Sequence, residues 1–133
     1  MLTHTFTRGW TNGGATISKQ VSVQSGAELN VDESIPALTT DALVAFAMDV
    51  SQIKGLYIVS DHPLTLETNS SGSPVNTITL AANTPFVWVF GDAALRDTAG
   101  TVITTDITAI YATNPHATLA AALQIRCLYD PTV

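Results

Sequence analysis

The sequence predicts an all-β fold: one antiparallel β-sandwich or jelly-roll-like domain with an N-terminal arm or hairpin. Three observations predict it. Short stretches alternate apolar and polar residues with the period of a strand rather than a helix. β-Branched and aromatic residues dominate those stretches. Turn signals built on Gly, Pro, Asn and Asp recur between them at the spacing a sandwich needs. A chain of 133 residues fits one domain, 1–133, because two domains would each be too small to bury a good core.

The elements follow in order. Leu2, His4 and Phe6 alternate with Thr3, Thr5 and Thr7, the pattern of a half-buried strand. Asn12-Gly13-Gly14 is a tight-turn signal, so a hairpin tip falls there and 1–14 is an N-terminal arm or hairpin. Alternation resumes over 15–24 with Ile17, Val21 and Val23 apolar. After Ser25-Gly26, a short strand is expected from Glu28 to Val31. Residues 32–42 are acidic, turn-rich and contain Pro36, so they read as a loop. Leu43 to Val50 is a near-continuous apolar run. It reads as a strand, with a helix as the rival because Ala, Leu and Met favour one.

Ser51 to Gly55 reads as a turn or one helical turn, and Leu56 to Ser60 as a strand. Asp61-His62-Pro63 turns the chain. Leu64 to Thr68 and Thr77 to Leu80 form a hairpin around a Ser/Gly loop, with Leu64 and Leu66 inward. Ala81 to Pro85 is a turn before Phe86-Val87-Trp88-Val89-Phe90, the most strongly β segment. Residues 91–106 read as an exposed excursion with a short strand at Thr101 to Ile103. Ile107 to Thr113 is a strand and Asn114-Pro115-His116 a turn. Leu119 to Leu128 closes the fold, placing Leu123, Ile125 and Cys127 opposite Gln124, Arg126 and Leu128.

Charged residues make up only 12% of the chain, about half the usual fraction. A surface covered by Thr, Ser, Asn and Ala sheds water cheaply, which suits a chain that spends its life against partners. The formal net charge is −6, with five basic residues: Arg8, Lys19, Lys54, Arg96 and Arg126. They are scattered and form no stripe along which a phosphate backbone could run, so no direct nucleic-acid contact is expected. No membrane partner is expected either: no run reaches the length of a bilayer span, and the N-terminus lacks a basic segment followed by an apolar one.

No motif for chemistry emerges. His4, His62 and His116 lack metal-ligand spacing, and His62 and His116 read as exposed turn residues. Asp61 and His62 are adjacent, which by itself gives little reason for their side chains to meet. Cys127 is the one cysteine and reads as a buried, inert member of a strand. Nucleophile elbows, phosphate loops and calcium loops are absent from the sequence. The expectation is a non-enzymatic chain with no catalytic residues, no cofactor and no metal. Trp88, between Val87 and Val89, reads as core. Trp10, between Gly9 and Thr11 near the terminus, reads as an interface anchor, and Phe6 joins it as the second candidate interface residue.

A resemblance adds to this. The segments Phe46 to Asp61, Leu64 to Asn69, Ile78 to Trp88, Ile107 to Asn114 and Leu123 to Pro131 together resemble small virion proteins of tailed bacteriophages. The resemblance covers residues 43–131 as a pattern of strands and turns. It implies a capsid decoration (cement) or minor virion structural protein. Such a protein binds the major capsid protein on the outside of the head shell and acts as a homo-oligomer, a trimer first. It would be made in the host cytoplasm and reside in the virion. The alternatives are a head–tail completion, tail or fibre-associated β module, a carbohydrate-binding sandwich using Trp10 or Trp88, and a small cupin-type enzyme that would need converging histidines.

Overall fold

The computed structural model describes residues 2–132. Its first two strands, β1 (Leu2–Asn12) and β2 (Ala15–Ser25), pair with each other as an antiparallel ribbon. The body follows as β3 (Ala27–Ile35), β4 (Thr39–Val44), β5 (Ile53–Ser60) and β6 (Leu64–Thr68), then β7 (Thr77–Leu80), β8 (Phe86–Val89), β9 (Ile110–Asn114) and β10 (Ala121–Tyr129). A single 3-10 turn, Val50–Gln52, precedes β5.

The body strands form two four-stranded sheets in the orders β3-β10-β5-β8 and β4-β9-β6-β7. Within the body, β6 and β7 are consecutive strands that share a sheet, and every other consecutive pair crosses from one sheet to the other. All the pairings are antiparallel. This is the strand order of an eight-stranded jelly roll, so the expected sandwich is observed in its jelly-roll form.

The core lies between the sheets. Inward positions on β10, Ala121, Leu123, Ile125 and Cys127, are no more than 1% exposed. They share one cluster with Leu56 and Ile58 of β5, Leu64 and Leu66 of β6, and Ile110 and Ala112 of β9. The period-two alternation decides which side chains enter it. Cross-strand partners lie on one face, so Leu66, Ala112 and Ile78 point inward together.

Several expected elements differ. The turn expected at 51–55 ends early, and β5 already begins at Ile53, which puts Gly55 inside a strand. Residues 32–42 are mostly strand: β3 runs to Ile35 and β4 begins at Thr39. Val31 and Ile35 are buried, and Arg126 on neighbouring β10 holds Asp32 at 3.0 Å. Pro36 falls just past the end of β3, where no ladder donor is needed. Leu38 makes the turn in the left-handed region at φ 54 and donates its N–H to the His116 carbonyl at 3.0 Å.

The run 43–50 is neither one strand nor a helix. Its ladder stops at Val44, although Val44, Phe46 and Met48 stay buried while Ala45, Ala47 and Asp49 stay exposed. Met48 regains contact through one two-way bridge with Ile107, at 2.8 and 2.9 Å. Accordingly β9 starts at Ile110 rather than at 107.

The excursion 91–106 is anchored rather than exposed throughout. Leu95 and Ile103 are buried, and Asp97 is 7% exposed. The Asp97 carboxylate accepts from Asn76 Nδ2 at 3.0 Å, Thr101 N–H at 2.9 Å, Ala99 N–H at 3.0 Å and Thr77 N–H at 3.4 Å. Burial pushes this carboxyl up, but those donors outweigh it and hold it below the ordinary carboxylate range. The loop is thereby stitched to the β7 edge.

At the opposite side of the sheet, Asn114 is 1% exposed and donates to the carbonyls of Ile35 and Leu119 at 3.0 Å each. It thus ties the ends of β3 and β9 to the start of β10.

Replacing Asp97 with Ala strands the donors that converge on it, including the buried Asn76 amide. We expect a loss of about 2–4 kcal/mol, read as a lower urea midpoint at unchanged slope. A loss below about 0.5 kcal/mol would mean that the loop is held by its apolar residues alone.

Candidate functional site

The β1–β2 ribbon shares no ladder with either body sheet. It is fixed to the outer face of the β3-β10-β5-β8 sheet by one face of the ribbon, through His4, Phe6 and Arg8 of β1 and through Val23 of β2, which is buried and pairs across from His4. Phe6 is central. It sits over Gly55 of β5, where an added Cβ would lie 2.9 Å from Phe6 Cζ and 3.3 Å from Leu128 Cδ1. A glycine inside a strand gives a neighbouring ring this close approach. The cross-strand partners of Gly55, Leu128 and Val89, are 4% and 1% exposed although they point away from the core.

Two polar contacts flank Phe6, one on each side along β1. His4 Nε2 meets Glu28 Oε2 at 3.1 Å. Arg8 grips Asp92 with both terminal nitrogens, at 3.1 and 2.6 Å. The hydrogen bond from Arg8 leads the causes that hold Asp92 below the usual carboxylate range. A two-pronged Arg–carboxylate pair fixes orientation more firmly than a single contact does. Between ribbon and sheet lies a cavity of about 460 Å³, lined by residues that include Phe6, Glu28, Tyr57, Val87 and Arg126. His4 Nδ1 is buried there without a partner, which offsets part of the gain from docking.

Beyond Arg8 the ribbon continues past these contacts. Residues 9–20 are all exposed. The cross-strand pairs Phe6↔Val21 and Trp10↔Ile17 lie on one face of the ribbon. Its inner half carries Phe6 onto the body, while its outer half presents Trp10 at 60% exposure and Ile17 at 64%. Lys19 pairs with Arg8 in register on the same face.

The two candidate interface residues are therefore placed differently. Phe6 is half-buried against its own chain, and Trp10 is free. Trp88 is half-buried, packs against the core and donates its indole N–H to the Ala93 carbonyl at 2.8 Å. Sequence reasoning does not single out Arg8, Gly55 or Asp92. The sequence shows Arg8 as a lone cation in a Thr-rich strand, places Gly55 in the turn expected at 51–55, and gives no signal for Asp92.

The histidines divide. His62 and His116 are half-buried rather than exposed, with ring centroids 5.2 Å apart edge-to-face. Asp61 and His62 do meet, at 3.0 Å, because the turn after β5 folds both side chains to one side. Asp61 also accepts from the Ala122 N–H at 2.7 Å, and these bonds, Ala122 first, lower its carboxyl below the ordinary value. His116 Nδ1 accepts from the N–H groups of Thr118 and Leu119 at 3.1 and 3.0 Å, which puts its proton on Nε2. His4 lies apart, under the ribbon. Among the described residues, no group of three His, Cys, Asp or Glu side chains is arranged to hold a metal ion. Cys127 is 0% exposed, and burial pushes its thiol up to about 12.

Two outcomes follow. Gly55→Ala displaces the Phe6 ring, so the nuclear Overhauser contact between Phe6 and Leu128 is lost while the body still folds. Persistence of that contact would mean that the ring does not rest on Gly55. Acidification acts through Asp92. Its lowered value means that docking adds stability above the unfolded carboxylate range, and that this gain is lost as pH falls through the lowered value. The same contact is therefore expected to weaken below about pH 4. In Arg8→Ala it is weak at neutral pH already and loses this acid dependence.

No family model matches the chain, and neither a curated protein nor a solved structure matches it.

Proposed function

We propose that this chain is a non-enzymatic structural protein of a virus particle, a head decoration or cement protein that binds the major capsid protein through its β1–β2 arm. The observation that carries the reading is the division of the arm. One half is seated on the body by Phe6 and Arg8, and the other half presents Trp10 and Ile17 to the outside. A large aromatic residue beside a β-branched one on a stiff ribbon is a fitting anchor for a partner surface. The body supplies a rigid platform, and its jelly-roll topology is shared by shell proteins, lectins and cupins, so the fold alone does not choose among them.

The surface suits lattice binding. With 12% charged residues, few ions need be stripped of water on contact. Many weak contacts repeated by symmetry add up through avidity.

One observation favours a second reading. Trp10 is exposed, with Asn12 and Lys19 on the same face of the ribbon, and an aromatic face with polar neighbours also suits a sugar ring.

The test is quantitative mass spectrometry of purified particles from the source, scaled to the major shell protein. A ratio near one, or a simple fraction of it, is expected for decoration. A handful of copies per particle would move the protein to a vertex, neck or tail position. Absence from particles would overturn the virion reading and bring glycan binding forward. In particles that carry it, Trp10→Ala is expected to weaken shell binding by about tenfold or more.

A further inference from the structure

We infer that the β1–β2 arm is exchanged between copies of this chain, so that the seat at Gly55 and Asp92 of one copy receives Phe6 and Arg8 of another. This deepens the proposed function and rests on its reading of the arm as the interaction element. It names the first partner the arm meets: a second copy.

The seat itself identifies the occupant. The site is shaped for one particular segment, because Gly55 leaves room for the Phe6 ring, Asp92 receives both prongs of Arg8, and Glu28 meets His4. Every copy carries both the segment and the seat. An arm swung onto a neighbour makes the same contacts and loses none, which is why exchange of an identical element is a low-cost route to assembly.

The connection favours it. A single residue, Gly26, joins the end of β2 at Ser25 to the start of β3 at Ala27. No backbone ladder ties the ribbon to the body, so exchange breaks no sheet. A hinge this short must bend sharply to return the arm to its own sheet, and opening that bend directs the arm away from it. Short hinges are where such exchange arises.

The outer half of the arm lies beyond the seat. A two-stranded ribbon is marginal in water by itself, yet residues 9–20 are exposed along both strands. Trp10 and Ile17 continue the face that carries Phe6. In the exchanged form the arm is seated as before, and Trp10 and Ile17 project past Asp92 of the receiving copy, open to a further partner.

Charge reversal tests the exchange. Arg8→Asp and Asp92→Arg each set like charges against each other at the clasp. If the arm is exchanged, each variant alone is monomeric. Mixing the two variants restores opposite charges at the clasp wherever the arm of one variant meets the seat of the other, and the mixture shifts to twice the monomer mass or more by light scattering. If the unaltered protein is monomeric at all concentrations, or if mixing the variants changes nothing, the arm docks on its own body and the proposal fails.

Asp92 also caps the turn after β8 by accepting from the Val89 N–H at 3.1 Å, so a second measurement uses the unaltered protein. In a mixture of isotope-labelled and unlabelled chains, refolded together, a contact between Phe6 of one chain and Leu128 of the other is expected. Contacts confined to single chains, with a monomeric mass at all concentrations, would overturn the exchange. That outcome leaves particle binding untouched, whereas absence of the chain from particles would remove the virion reading and leave the exchange standing.

Discussion

The structure depends on the burial of two inner sheet faces against each other, with β10 at the centre of one of them. β10 pairs with β3 on one side and β5 on the other over most of its length. Its inward side chains, Leu123, Ile125 and Cys127, are sealed. Because side chains alternate along a strand, a one-residue slip would turn Gln124 and Arg126 into the core and Ile125 out to solvent. The register is therefore fixed by the hydrophobic pattern, and it carries everything built on the outer face. Gly55, Leu128 and Val89 stand side by side on that face because their neighbours Leu56, Cys127 and Trp88 are directed the other way.

An apolar outer face is unusual for a sheet that has water on one side. Here it is explained by the arm, whose Phe6 covers the glycine gap and whose Arg8 clasps the turn after β8. Two polar contacts, one ring and the buried Val23 are a slender attachment compared with the sandwich core. Exposed ion pairs contribute only about 0–1 kcal/mol each, and a buried His4 nitrogen without a partner subtracts from the total. The molecule thus combines a stable platform with a weakly held ribbon. That combination suits a protein whose ribbon engages something other than its own body.

Much of the fold is legible in the sequence. Most strands of the body, the Asn-Gly-Gly hairpin tip and the inward set Leu64, Leu66, Leu123, Ile125 and Cys127 follow from period-two alternation and turn chemistry. What escapes is set by long-range contacts. Residues 32–35 read as loop because of Asp32 and Glu33, yet Arg126, far along the chain, supplies the charge that lets Asp32 sit on a strand. The excursion 91–106 reads as exposed because its polar residues hide one buried carboxylate, Asp97, with its donors on another strand and on its own loop. Of the arm, Trp10 is legible as a surface aromatic. The seat of Phe6 is not, since a glycine after Lys54 also reads as a turn and its role as a gap depends on a ring on a distant strand. The meeting of His62 with His116 is likewise invisible, because two turns far apart in the chain bring them together.

The central claim is that the arm is a separately held element on an independently stable sandwich. Native-state hydrogen exchange resolved by residue tests this most directly. Amides of β1 and β2 are expected to exchange through a low-energy opening at far smaller denaturant dependence than those of β10, which exchange by global unfolding. Equal protection of β1, β2 and β10, with one common denaturant dependence, would contradict it and make the ribbon an integral part of the core fold.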